Sequence, residues 1–286
     1  MWTIAKITFR EIVSKRIFLI TILMTLAFIA LYGVAIHFTA KDALSETSSN
    51  MGDLQNQFFA SQLLSAGLYF SSFITALLAI LSSVSAVSSE IDSHQIDTWL
   101  MRPISRLQFV LGKISGLTIL LVAYAILLFV SITFLHQTLG GEALDLNLEF
   151  PQISRAISMF ILQPIVLVTI GVMLSSRMTT LNAGIVLIIL YGAAFIGGFV
   201  EQIGSLMEKT ALMNIGIATS LLFPVDAVYR KMTLFLFDTA DSPISFAQQG
   251  LFASASSPSN AMIVYTIIYA AIMLIIAVRT FSKRDV

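Results

Sequence analysis

The chain has 286 residues, of which 57% are hydrophobic and only 11% are charged, and its 16 basic and 16 acidic residues cancel to a net charge of zero. Soluble domains carry about 25% charged residues, so this composition excludes an ordinary soluble protein and predicts an integral membrane protein. The chain has no cysteine, which excludes disulfides and thiolate metal sites. We expect no nucleic-acid partner.

Six apolar runs predict six transmembrane helices, because most are long enough at 1.5 Å per residue to cross roughly 30 Å of hydrocarbon. The fourth run is the shortest and contains Gln163 and Pro164, and it is kept as a kinked span because neighbouring helices can satisfy the carbonyl that a proline frees. The first run has too long an apolar core for a signal peptide and no small-residue cleavage site after it, so we expect it to stay attached. The predicted spans are residues 17–38, 64–87, 114–135, 157–174, 181–200 and 261–278.

The predicted fold is therefore an all-α polytopic membrane protein with one transmembrane domain over residues 1–286. Six spans place both termini on one side of the membrane, and eleven of the 16 Lys and Arg residues fall on the termini and on the second and fourth connections. The positive-inside rule makes those segments cytoplasmic and predicts a multi-pass protein of the cytoplasmic membrane. The eleven are Lys6, Arg10, Lys15, Arg16, Arg102, Arg106, Lys113, Arg177, Arg279, Lys283 and Arg284.

Residues 1–16 predict an amphipathic helix that precedes the first span. Apolar side chains recur at three- and four-residue steps and polar ones occupy the other side, although Ile4 and Ile7 weaken the pattern. A basic helix with a tryptophan suits the membrane interface, where membrane lipid is the expected partner. The alternative is a plain cytoplasmic extension of the first span. The apolar side is Trp2, Ala5, Phe9, Ile12 and Val13.

The predicted spans contain no Asp, Glu, Lys or Arg between their ends. Ion-coupled carriers, pumps and voltage sensors place ionisable groups at membrane depth at a cost of at least ~2.5 kcal/mol each, because those groups do the work. No HExxH or GxSxG motif occurs, and Gly112–Lys113 lacks the earlier glycine of a phosphate loop. We therefore expect no enzymatic activity, no metal and no cofactor on this chain.

Residues 88–113 form the only long polar and basic segment between two membrane-length runs. A short helix is predicted from Ser88 to about Leu100, and Pro103 ends it. Ser105 is the predicted N-cap of a second helix that runs into the third span. The segment is thus a bent elbow between spans two and three.

The elbow contains Glu90, Asp97, Pro103, Ser105, Arg106, Gly112 and Lys113 at a spacing that resembles the first cytoplasmic loop of the ABC-2 family of ATP-binding-cassette permeases. That loop commonly reads as a glutamate, a Gly-Thr pair, an acidic residue, then PxSR and a hydrophobic stretch closing in GK. Here His94 and Gln95 replace the Gly-Thr pair. The six spans and the amphipathic start extend the resemblance over essentially the whole chain.

The resemblance implies a permease subunit whose elbow acts as a coupling helix that docks on a separate ATPase subunit. It implies two ATPase copies that bind ATP and Mg, and a second permease copy as a homodimer or a paralogous heterodimer. The implied coupling residues are Glu90, His94, Asp97, Pro103, Ser105, Arg106, Gly112 and Lys113. The implied activity is export of a hydrophobic, amphipathic or peptide-like compound.

Residues 201–260 are too apolar for a plain loop and resemble the region of short re-entrant or interfacial helices before the last span of ABC-2 permeases. Asp226 and Arg230 are four residues apart and are expected to pair on one helical face. An outer gate at Pro224, Asp226, Tyr229 and Arg230 is one interpretation, and an interfacial cap is the other. A further crossing here would turn the C-terminus outward, against the basic residues that follow the last span.

Two functions remain open on the sequence. The first is an export permease driven by a partner ATPase. The second is a membrane-embedded scaffold or assembly factor that recruits a cytoplasmic protein without transport. A complex that hydrolyses ATP but never changes the sidedness of any compound would favour the second.

Overall fold

Helices account for almost the whole of the structure, a computed structural model that describes residues 1–45, 50–93, 105–237 and 258–283. No strand occurs within these ranges. The helices are α1 (Trp2–Ser14), α2 (Arg16–Ser45), α3 (Asn50–Val84), α4 (Ser88–Asp92), α5 (Arg106–Gly140), α6 (Phe150–Ser175), α7 (Thr180–Leu206), α8 (Thr210–Leu222), α9 (Val225–Phe237) and α10 (Asn260–Ser282).

Six helical segments are long and apolar enough to cross a membrane, which confirms the predicted all-α polytopic fold. A seventh crossing is counted only if α8 and α9 form one span, and these two helices meet at an angle of 107°. Such a bend is the geometry of a broken span or a re-entrant pair. The six segments are Arg16–Ala43, Gln55–Asp92, Arg106–Gly140, Phe150–Ser175, Thr180–Leu206 and Asn260–Ser282.

The helices extend well beyond the apolar runs that predicted them. Helix α5 has 35 residues, about 52 Å of helix, so it projects past a hydrocarbon layer of roughly 30 Å. Apolar runs mark only the part of a helix that needs lipid, whereas backbone hydrogen bonding and packing continue it into polar surroundings. Helix α7 likewise continues to Leu206 and takes in Glu201, the residue directly after the predicted fifth span.

Helix α6 lies at the centre of the bundle, where it packs against α3, α5, α9 and α10. Pro164 lies inside it without ending it, as expected for a span whose neighbours cover the freed carbonyl. Of the residues in the most apolar stretch of each helix, 72% are buried in α3, but only 17% in α2 and 17% in α10. Much of the apolar surface of α2 and α10 therefore faces outward from the chain.

Helix α1 packs on α5 through one side and leaves the other side exposed. Ile4, Ala5, Thr8 and Ile12 are buried, whereas Trp2 is 75% exposed. Both sides of this helix are apolar, so periodicity alone cannot choose between them. Trp2, Phe9 and Val13 point outward, so the side predicted for the membrane interface is exposed except at Ala5 and Ile12.

The elbow end of the bundle is the end at which α3 finishes, α5 begins and α10 finishes. Arg106 Nη1 donates to the Ser282 carbonyl at 3.1 Å, and the Phe109 and Phe281 rings stack with centroids 5.4 Å apart. These contacts hold the end of α10 against the start of α5.

Candidate coupling site and buried charge cluster

Four charged side chains meet at the elbow end, three from helices and one from the junction between α1 and α2. Lys113 of α5 is 2% exposed, and its Nζ lies 3.0 Å from Glu11 Oε2 of α1 and in contact with Glu90 Oε1 of α4. Lys15 Nζ lies 2.8 Å from Glu11 Oε1. We call Glu11, Lys15, Glu90 and Lys113 the elbow cluster. It joins the N-terminal helix to both sides of the elbow.

Glycines allow α1 to approach α5 closely enough for this cluster to form. A Cβ added at Gly116 would overlap the Ala5 carbonyl oxygen, and one at Gly112 would lie 2.7 Å from Ile4 Cβ. Real Cβ atoms do not come so near, so the crossing depends on these two positions. These two glycines therefore serve packing within the chain.

The ammonium groups around Glu11 favour its charged form. Burial raises the pKa of this carboxyl, but Lys113 and Lys15 together outweigh burial, so the pKa lies below its ordinary value. Glu11 is therefore ionised at neutral pH, and it bridges the buried Lys113 to the more exposed Lys15.

The start of α4 is fixed to the end of α6 and the start of α7. The Val87 and Ser88 amides donate to Ser175 Oγ at 3.1 and 2.9 Å, and the Ser88 and Thr180 hydroxyls lie 2.7 Å apart. Ser175 is the last residue of α6, and Thr180 is the first of α7. The elbow therefore leaves a junction that is tied to three membrane-crossing helices.

The far side of the elbow begins with the predicted N-cap. Ser105 Oγ accepts from the Gln108 amide at 3.2 Å, and Gln108 Oε1 accepts from the Ser105 amide at 3.4 Å. This reciprocal capping box satisfies two donors that the helix start would otherwise leave open. The prediction that Ser105 caps the second helix is confirmed.

The sequence matches the family model described as ABC-2 family transporter protein over residues 2–286. The chain belongs to the ABC-2 transporter family. It is thus a multi-pass membrane protein and a permease component of an ABC transporter, and its family implies association with an ATPase subunit. No curated protein matches the sequence.

Within this ABC-2 chain, the predicted coupling residues divide into two groups. Glu90, Gly112 and Lys113 are buried and face α1 or each other. Ser105 is exposed and Arg106 is partly exposed at the start of α5. His94, Asp97 and Pro103 lie outside the described residues. The buried group supports the elbow, and the two residues at the start of α5 remain accessible to a partner.

The predicted outer-gate residues lie at the bend between α8 and α9. Pro224, Tyr229 and Arg230 are buried, and Tyr229 donates to the Ser65 carbonyl at 3.0 Å. Arg230 Nε lies 2.9 Å from Asp226 Oδ2, so the predicted pairing of Asp226 and Arg230 is confirmed.

A third charged residue, Glu201 of α7, completes this group. Arg230 Nη1 and Nη2 donate to its two carboxylate oxygens at 2.9 and 2.8 Å. Such a bidentate pair has the fixed geometry in which arginine binds carboxylates best. We call Glu201, Asp226 and Arg230 the bend cluster. It pins the bent pair to α7.

Sequence reasoning missed Glu11 and Glu201 as members of these clusters. Glu11 is 102 residues from Lys113, and Glu201 is 29 residues from Arg230. No local spacing rule connects residues so far apart. Charged residues are rare in this chain, so each one near an apolar segment could have been considered a candidate for a buried ion pair. Glu201 directly follows an apolar run, and Glu11 is the one acidic residue in α1.

Proposed function

We propose that this permease exports a hydrophobic, amphipathic or peptide-like compound, with ATP and Mg bound and ATP hydrolysed by a separate ATPase subunit. Two ATPase copies act on two permease copies, which are identical or paralogous. The permease lies in the cytoplasmic membrane with both termini in the cytoplasm. The elbow docks on the ATPase on that same side. The surface of α2 and α10 that one chain leaves open is available to lipid and to the second copy.

The observation that carries this proposal is the anchoring of the elbow at both sides. The elbow cluster attaches α4 and α5 to α1, and the Ser175 and Thr180 contacts attach α4 to α6 and α7. A docking segment that is fixed in this way moves together with the helices behind it. Closure of the ATPase would therefore tilt several spans at once, a rigid-body transition.

The test compares Arg106→Ala with Arg177→Ala in a chain co-expressed with its partner ATPase. Both arginines contact the C-terminal end of α10, but only Arg106 belongs to the elbow. We expect Arg106→Ala to lower ATPase co-purification severalfold and Arg177→Ala to leave it unchanged, with equal membrane insertion. Equal co-purification for both variants would contradict the coupling role.

Transport itself is tested with the complex in sealed vesicles. ATP with Mg should move an amphipathic compound across the membrane, and a non-hydrolysable ATP analogue should not. Hydrolysis without any change in the sidedness of the compounds tested would favour the scaffold function.

A further inference from the structure

A small cavity with polar and aromatic side chains in its wall lies between α3, α6, α7 and the start of α9. Its volume is about 20 Å³, enough for one water-sized group. Tyr69, Ser72, Gln163, Tyr191, Phe195 and Asp226 contribute to its wall. Most of these residues come from the middle of α3, α6 and α7, so the cavity lies near the mid-depth of the bundle.

Asp226 brings a carboxylate to this depth although it lies outside the predicted spans. Its side chain is 12% exposed and leans on α7 at Gly198, where any Cβ would overlap Asp226 Oδ2. Arg230 Nε binds the same Oδ2. A carboxylate has two oxygens and about four acceptor positions, so this carboxylate keeps accepting capacity at the cavity.

Gln163 adds a second polar group that is almost fully buried. It is 2% exposed, and its Oε1 accepts from Ser72 Oγ at 2.6 Å. Its amide nitrogen bonds to no residue within the described ranges. Because the Ser72 hydroxyl can accept as well as donate, the amide can turn and present its oxygen to the cavity.

Aromatic rings surround these polar groups. The Tyr69 and Phe195 centroids are 5.9 Å apart, and the Tyr69 and Tyr229 centroids are 5.2 Å apart. Ring faces attract cations, and more strongly where water is excluded. A carboxylate, an amide that can turn its oxygen toward the cavity, and aromatic rings together favour a small cation.

We propose that this cavity binds the primary ammonium group of the transported compound, an inference that rests on the proposed transport function. A primary ammonium is close to water in size and has three donors for Asp226, Gln163 and a tyrosine hydroxyl. A trimethylammonium group has no N–H donor for these acceptors. A hydroxyl fits by size but gains no charge pairing, and the carboxylate repels anions.

The test is equilibrium binding of radiolabelled 2-phenylethylamine to the purified full chain in lipid nanodiscs, without the ATPase. We expect saturable binding that the unlabelled amine displaces at least tenfold better than 2-phenylethanol or N,N,N-trimethyl-2-phenylethylammonium. Equal competition by either analogue, or no saturable binding, would overturn the proposal. Because the ATPase is absent, that failure leaves the partner-association test unaffected.

Asp226→Asn and Glu201→Gln form a matched pair, since each removes one carboxylate from Arg230 but only Asp226 lines the cavity. We expect Asp226→Asn to weaken binding at least tenfold and Glu201→Gln less than threefold. Gln163→Leu, which leaves the Arg230 contacts intact, should weaken binding at least threefold and serves if Asp226→Asn does not fold. Equal losses in the matched pair, or unchanged binding in Gln163→Leu, would refute the site.

Discussion

Lys113→Met tests the elbow cluster directly. Lys113 is 2% exposed and contacts two carboxylates, those of Glu11 and Glu90. Methionine keeps an unbranched chain of similar length but carries no charge. The variant therefore leaves the buried Glu90 without its cation, and Glu90 Oε2 already has no hydrogen-bond partner within the described ranges.

The expected loss follows from how deeply each partner is buried. Removing one member of a buried ion pair costs about 3–5 kcal/mol, because the other charge stays buried and uncompensated. Glu11 is 32% exposed, so solvent screening reduces its share to below ~1 kcal/mol. We expect a net loss of about 3 kcal/mol for Lys113→Met. Lys15→Met, which removes a partly exposed partner of the same Glu11, should cost less than ~1 kcal/mol.

Hydrogen exchange of the α1 amides measures this difference, because α1 is held by the cluster. A loss of about 3 kcal/mol corresponds to faster exchange by roughly a hundredfold or more. Lys15→Met should accelerate exchange by less than about tenfold. Lys113→Met combined with Glu90→Gln should recover part of the loss, since no unpaired buried charge remains. Equal exchange in the two lysine variants would refute the reasoning.

Three further substitutions test other contacts. Ser105→Ala removes the cap of α5 and should cost about 1 kcal/mol, seen as faster exchange confined to the first turn; unchanged exchange there would contradict the cap. Gly116→Ala should lower the free energy of unfolding by about 1–3 kcal/mol, because the added methyl group would overlap α1. Gly192 has open space around it, so Gly192→Ala should be nearly neutral. Equal effects of the two substitutions would refute the close crossing. Arg230→Met should cost about 3–5 kcal/mol in the same unfolding assay, because it leaves two buried carboxylates unpaired. If Arg230→Met lost less stability than Lys231→Met, the bend cluster would be contradicted.

Features set by local sequence could be predicted. Apolar runs located the six spans because the bilayer demands a fixed length of hydrophobic helix. Ser105 was identified as a cap because its hydroxyl can accept from an amide three residues ahead. The four-residue spacing of Asp226 and Arg230 placed them on one helical face.

Features set by packing between distant segments could not be predicted. The pairing of Lys113 with Glu11 depends on how α1 crosses α5, and the position of Asp226 depends on the 107° bend between α8 and α9. The predicted fifth span ended before Glu201 because a run of apolar residues ends at the first charged one. Helix α7 continues past that point, and the bent pair brings Asp226 against it.

The central claim is that a cytoplasmic elbow receives force from a bound ATPase. The chain has no cysteine, so His94→Cys gives a single reporter on the elbow for a membrane-impermeant maleimide. We predict no labelling in sealed cells, labelling after permeabilisation, and protection when the partner ATPase is bound. Labelling in sealed cells would place the elbow outside and contradict the account.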